Sequence, residues 1–361
     1  LALDVLIPMS DARPVSDPVE VLSAYEGCED AEVEPLGGGL INATYLVRRR
    51  GDRFVLQRVN PIFAPGIHDN IRAVTEHLAD KGMVTPRLVP TAAGTWYLRT
   101  SDAEIWRMMT WVDGSCFDVV QSTGQARAAG ELVGRFHTAL DSLDHTFLDM
   151  RVGVHDTPAH LAKLRTAVAE QGGHRLHAAV GALATAILGA AEGLEPLPKL
   201  PDRPCHGDLK LNNVRFAGPR GPASEQAVCL IDLDTVGPMH LGYEIGDALR
   251  SWCNPGGEDR GRVTFDLDVC TAALDGYTRG RGRGLSREER GALLLGVEWV
   301  SLELSARFAA DALLESYFGW DPERFPGRGE HNLARAESQW VLFRAVTATR
   351  DARARLLELD V

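Results

Sequence analysis

The chain has few cysteines, no surplus of positive charge and no long uncharged apolar run. Its six cysteines, at positions 28, 116, 205, 229, 253 and 270, are scattered, and no two form a CxxC pair. That spacing argues against a zinc site or a disulfide framework and favours a reduced, cytoplasmic setting. No stretch reaches the length of a membrane span without a charge, and the opening LALDVLIPMS has too short an apolar run and no basic leader. No membrane partner is expected. Lys and Arg total 38 against 50 Asp and Glu, a formal net charge of −12, which argues against a non-specific nucleic-acid binder, because that affinity comes from cations matched to phosphates. What remains is an ordinary globular composition, 45% hydrophobic and 24% charged over 361 residues, long enough for about two cores.

Two segments carry the chemistry. Cys205 to Phe216 reads CHGDLKLNNVRF, and Leu230 to Val236 reads LIDLDTV. Asp208 and Asn213 stand five positions apart, the spacing of a loop in which an Asp accepts a hydroxyl proton and an Asn holds a metal ion during phosphoryl transfer. Asp232 ends the apolar run Ala227 to Ile231, which reads as a buried strand and puts its carboxylate at a strand terminus, fit to bind Mg²⁺. Asp234 either holds a second ion or orients the first. Lys210 is placed to touch a γ-phosphoryl group as a point charge, and His206 reads as a brace of the loop. An isolated HxDxxxxN string arises by chance; the acidic strand end 24 residues after Asp208 makes it one of a pair.

The rest of the chain suggests an α+β, two-lobed architecture. Residues 1–112 are expected to form an antiparallel-sheet lobe that binds nucleotide and ends in a hinge, and residues 113–361 a mainly helical lobe with the catalytic loop and the acceptor site. In the first lobe Val21 to Glu26 reads as helix, and Thr44 to Arg49 and Arg53 to Val59 as strands. The turn at Leu36 to Asn42 contains Gly38 and Gly39; with Asn42 and Thr44 it either covers phosphates with backbone N–H groups or is a plain hairpin turn. In FVLQR, Leu56 and Arg58 share a face, so Arg58 can carry a cation under the nucleotide while Leu56 packs on its base; the alternative is an ordinary surface arginine. Ile71 to Lys81 reads as a helix whose Glu76 can pair with Arg58. Trp96 to Thr100 and Glu104 to Trp111 read as strands, and Met108 to Trp111, including Met109, as the hinge. Beyond it, Gln125 to Leu140, Leu176 to Glu192, Arg287 to Ser316 and Gly329 to Leu359 read as helices, with His137 a core histidine, and Gly276 to Gly284 and Pro219 to Ser224 as surface loops.

These motifs resemble the aminoglycoside phosphotransferase and choline kinase superfamily. The finer pattern is similar to N-acetylhexosamine 1-kinases through GGGLINATYLV (Gly37 to Val47), FVLQRVN (Phe54 to Asn60), YEIGDALRS (Tyr243 to Ser251) and ARFAADALLESYFGW (Ala306 to Trp320). The resemblance implies a protein-kinase-like fold with ATP between the lobes. Asp208 matches the family base, Asn213 and Asp232 its magnesium ligands, Arg58 its nucleotide cation, and Asp247 an acid that braces the catalytic loop. The implied acceptor is the anomeric hydroxyl of GlcNAc or GalNAc. A sugar needs planar donors and aromatic platforms, which Arg307 and Tyr317, with Trp252 and Trp320 nearby, are placed to supply. Two departures stand out: HGD replaces a more divergent catalytic start, and the usual helix glutamate falls near Asn70 or Ile71. An antibiotic acceptor, aminoglycoside or nucleoside, is the alternative, and a pseudokinase binding module a third reading.

Overall fold

A computed structural model describes residues 16–37, 41–150, 153–257 and 263–359. Helix α1 (Pro18–Leu22) starts at Asp17, whose carboxylate accepts the Val19 N–H, with Pro18 in the first turn where a missing N–H costs nothing. It lies earlier than the sequence suggests. An antiparallel sheet follows, built from β1 (Glu32–Pro35), β2 (Ala43–Arg49), β3 (Asp52–Val59), β4 (Leu88–Val89), β5 (Leu98–Arg99) and β6 (Ile105–Thr110), in the order β1-β2-β3-β6-β4 with β5 also on β6. The β2–β3 turn is tight because Arg50 and Gly51 both take positive φ, 51° and 91°, as a two-residue hairpin loop requires.

The two faces of this sheet have different partners. Val47, Phe54, Leu56, Trp106 and Met108 form a cluster with Val21, Leu22 and Tyr25. Val59 and Met109, on the opposite face, join the main core with Ile67, Ile71, Val74 and Leu78 of α2 (Ile67–Asp80). Leu56 therefore packs beneath the α1 segment and not on a nucleotide base, which corrects the expectation for that strand.

The remainder is mainly helical: α3 (Thr123–Leu140), α4 (Thr157–Glu170), α5 (His177–Glu192), α6 (Leu241–Trp252), α7 (Leu267–Arg281), α8 (Arg287–Leu314), α9 (Arg328–Thr347) and α10 (Arg350–Leu356). Two short two-stranded antiparallel sheets lie between α5 and α6: β7 (Arg203–Cys205) pairs with β10 (Gly237–Met239), and β8 (Val214–Phe216) with β9 (Ala227–Leu230). The connection from the first sheet is pinned to β8 by paired backbone hydrogen bonds between Ser115 and Phe216. Helix α8 begins with a capping box between Ser286 and Glu289.

Two expectations need correction. Gly276 to Gly284 is not a surface loop through most of its length, because α7 continues to Arg281 and its glycines press against α3. A Cβ at Gly276 would sit 2.0 Å from the Arg127 carbonyl oxygen, and one at Gly130 of α3 would sit 2.1 Å from that of Ala273. The segment from Gly329 to Leu359 is two helices, interrupted at Ala348 and Thr349. All six cysteines are free thiols, and among the described residues no helix is long and apolar enough to cross a membrane.

Candidate active site

The catalytic loop leaves β7 at Cys205 and is held from below by α6. Glu244, in the first turn of that helix, accepts the backbone N–H groups of His206 (2.8 Å) and Gly207 (2.9 Å). Burial alone would raise the Glu244 pKa, but the hydrogen bond from His137 and the nearby His206 hold it below the usual range. His137 is itself buried, bonded to Glu244 and to the Tyr277 hydroxyl, a core histidine. Glu244 is a bracing acid that sequence reasoning missed. The acid it chose, Asp247, lies one turn later and forms an ion pair with Arg250 at 2.9 Å.

His206 ties the two motifs together. Its Nδ1 accepts the Asp208 N–H (3.3 Å), which leaves the proton on Nε2 to be donated to the Ile231 carbonyl (2.9 Å). The Thr235 hydroxyl donates to the His206 carbonyl (2.9 Å). Gly207 permits this closeness, with φ of +84° and room for no Cβ, which would lie 2.5 Å from the Thr235 carbonyl oxygen.

Asp208 is buried, with one carboxylate oxygen 3.1 Å from Lys210 Nζ and 3.2 Å from the Asn213 amide nitrogen. Asn213 also donates to the Asp208 carbonyl (2.8 Å), and its own carbonyl accepts the Ile231 N–H. Beyond β9 the chain turns at Asp232, which adopts a left-handed conformation with φ of 64° that an aspartate tolerates better than most residues. Asp232 is exposed to solvent, with the body of the protein packed closely around it. Its carboxyl is raised to about 7, by desolvation first and then by repulsion from Asp234 and Asp208, with Lys210 and Arg107 opposing. The Asp208, Asp232 and Asp234 carboxylates are near enough for the first and last to repel the second, and with the Asn213 amide they are hard-oxygen donors of the kind that a divalent ion such as Mg²⁺ takes.

Asp234 links this site to the first sheet. Its carboxylate lies 2.5 Å from Arg107 Nη1, with both side chains almost wholly buried, and accepts from the Asn42 amide at 2.7 Å. Asn42 in turn accepts the Asn60 N–H (2.9 Å). Thr44 accepts from Gln57 at 3.2 Å. Arg58 instead pairs with Glu104 at 3.0 Å on the α1 side of the sheet, while Glu76 pairs with Arg72 within α2. Asn70 joins α2 to the segment after α3 by bonding both backbone groups of Leu148. The tip glycines Gly38 and Gly39 lie outside the described residues. At the expected hinge Met109 is buried in the main core, and the Trp111 indole donates to Asp113 (2.9 Å) beneath the Arg215 guanidinium, 4.7 Å from its ring.

A cavity of about 670 Å³ opens beside the catalytic loop, reaching from Gly207 and Asp234 to Arg307 and Tyr317, with His155 and Lys163 on the same wall. Both sequence-chosen acceptor residues therefore face one space. Arg307 is held 3.6 Å from Glu303, whose buried carboxylate also accepts from His155 and Thr157. Tyr317 is positioned by Asp311, which accepts the backbone N–H groups of Ser316, Tyr317 and Phe318. Trp252 is core, its indole donating to the Leu209 carbonyl (2.7 Å), and Trp320 does not line the cavity. His155, Glu303, Asp311 and Arg107 went unread in the sequence. A cation inside the apolar strand IWRMMT was the one available signal.

The fold is shared with solved kinases. An aminoglycoside phosphotransferase from Alicyclobacillus acidocaldarius superposes with a TM-score of 0.62 at 16% identity, covering 95% of this chain and 99% of that one. A microcompartment-associated aminopropanol kinase gives 0.62 at 18% identity over 92% and 97% of the two chains. An amicoumacin kinase solved with AMP-PNP, Ca²⁺ and its antibiotic gives 0.59 at 15% identity over 93% and 94%. Residues 32–285 match the phosphotransferase enzyme family. That stretch holds both acidic motifs and most of the chain, and the protein accordingly belongs to this family, as a small-molecule phosphotransferase of kinase-like fold.

Proposed function

We propose that this protein transfers the γ-phosphoryl group of ATP to a sugar hydroxyl, the anomeric hydroxyl of an N-acetylhexosamine. The carrying observation is the cavity that joins the Asp208 loop to Arg307 and Tyr317: a charged planar donor and an aromatic face in one polar-rimmed space suit a ring with many hydroxyls and one apolar face. Lys163 Nζ lies 6.0 Å from the Tyr317 ring centre and adds a second cation there.

In this reading residues 1–112 bind the nucleotide and residues 113–361 supply the catalytic loop and the acceptor site. Asp208 accepts the proton of the acceptor hydroxyl as its oxygen bonds to the γ-phosphorus, and the bond to the bridging oxygen of ADP breaks. The Asn213 amide, bonded to both the backbone and the side chain of Asp208, keeps that carboxylate in place. Lys210 offsets negative charge at the transferring group. Asn213, Asp232 and Asp234 would hold Mg²⁺, which supplies charge neutralisation to the phosphates. His206 and Glu244 fix the loop.

A second reading, phosphorylation of an antibiotic, draws on Asp149 and Asp202 in the cavity wall, which suit a cationic acceptor. Lys163 and Arg307 oppose it for a polycation. ADP release with Mg-ATP across GlcNAc, GalNAc, glucose, galactose, kanamycin, a nucleoside antibiotic, choline and homoserine, with phosphorus NMR of any product, separates the two. An anomeric phosphate on an N-acetylhexosamine is expected; product with an antibiotic alone would replace the sugar reading.

A further inference from the structure

The positions from which a nucleotide cation was expected do not supply one facing the cleft. Arg58 lies on the α1 side of the sheet with Glu104. Gln57, one residue earlier and on the other face, points where that cation would be needed, and its Oε1 accepts two hydrogen bonds from Arg107 of the neighbouring strand, from Nε at 3.0 Å and Nη2 at 2.8 Å. The strand register places Gln57 directly opposite Arg107. Helix α2 turns a histidine, His68, toward this guanidinium, so its anionic partner is Asp234 instead.

The pair with Asp234 is close: Arg107 Nη1 and Asp234 Oδ1 lie 2.5 Å apart and both side chains are almost wholly buried. Among the described residues neither of these two atoms has a hydrogen-bond partner beyond that ion pair. A buried ion pair in which each partner has no second contact can share its charges with a ligand: an anionic oxygen for the guanidinium, a cation for the carboxylate. The polyphosphate of a nucleotide with its divalent ion offers both.

We infer that Arg107 is the residue that binds the nucleotide's phosphate chain, gripped through its Nε edge by Gln57 and paired with Asp234. The cation of this site thus comes from β6 and not from β3. Two N–H groups bonded to Gln57 fix the plane of the guanidinium, and Nη1, held against Asp234, is the end that would pass to a phosphate oxygen once a cation takes up the carboxylate. Asn42 and Arg107 both hold Asp234, so the phosphate cation and a candidate metal ligand are set by one network. The assignment rests on the nucleotide-dependent reading above.

Calorimetric titration of the full chain with ADP and with adenosine, in magnesium and again in EDTA, tests it. Arg107→Gln is expected to weaken ADP binding about tenfold to a hundredfold in either buffer, to leave adenosine binding unchanged, and to contrast with Arg58→Gln, which should shift ADP affinity by less than about twofold. If Arg107→Gln does not fold, the double variant that adds Gln57→Lys returns a cation to the same pocket and should bind ADP within about threefold of wild type. Unchanged ADP affinity in Arg107→Gln would overturn the inference, as would equal losses of ADP and adenosine, which mark a purely structural residue. A wild-type protein that binds neither ligand would instead remove the nucleotide reading beneath it.

Discussion

His68 shows how a single buried side chain can couple the active-site region to pH. Its Nδ1 donates to the Pro65 carbonyl at 2.8 Å, and its pKa is lowered to about 4, by desolvation first and then by the Arg107 charge. The folded state therefore favours the neutral ring. Stability from this group is complete above the unfolded value near 6.5 and is lost as pH falls toward 4, by up to about 3 kcal/mol at the low end. Urea unfolding between pH 7 and 4 should show that decline, and His68→Gln should flatten it; an unchanged slope would contradict the assignment. At this scale the acidic motifs are highly legible, because Asp208, Asn213 and Asp232 must sit at short fixed spacings on one loop and one strand end. Arg107 and Glu244 are not, since each acts on a residue far away in sequence, Arg107 on Asp234 and Glu244 on the His206 backbone; nor is Asp311, which holds a helix exit a few residues on whose geometry no local pattern announces.

At the scale of elements, the crossing of α3 and α7 explains why glycines that read as a loop are helical. An interior helix glycine costs about 1 kcal/mol relative to alanine, but here Gly276 and Gly280 let α7 approach the Arg127 and Glu131 carbonyls of α3, and Gly130 and Gly134 make the reciprocal approach. The alternating Gly and Arg letters hide this, because close packing depends on the partner helix. Gly276→Ala should destabilise by about 1 to 3 kcal/mol through overpacking, whereas Gly181→Ala in α5, where a Cβ meets nothing within 4 Å, should stabilise by up to about 1 kcal/mol. Denaturant midpoints of the two variants check this opposition; a stabilised Gly276→Ala would refute the close crossing. The β2–β3 hairpin, by contrast, is readable from Gly51 and its flanking alternation alone, although which face carries the working cation is decided by what covers the sheet.

The whole molecule brings three distant segments to one cleft: the sheet with Asn42 and Arg107, the loop with Asp208 and Asn213, and the helical wall with Arg307 and Tyr317. The two-lobed organisation follows from the change from strand to helix periodicity near Gly114, and the proposed acceptor wall was legible only through a resemblance in the α8 segment. Arg307→Ala should raise the acceptor KM about tenfold or more while leaving the ATP KM within about twofold, as the loss of one charged donor to the acceptor requires. Steady-state kinetics in both substrates would show it, and a rise in the ATP KM of the same size would move Arg307 out of the acceptor site. The central claim is that the Asp208 loop performs phosphoryl transfer to a hydroxyl. It is tested most directly by following Mg-ATP and acceptor by phosphorus NMR with wild type and Asp208→Asn side by side. The account predicts a sugar phosphate from wild type, a rate at least about a hundredfold lower in the variant, and ADP affinity nearly the same in both; near wild-type transfer by Asp208→Asn would contradict it.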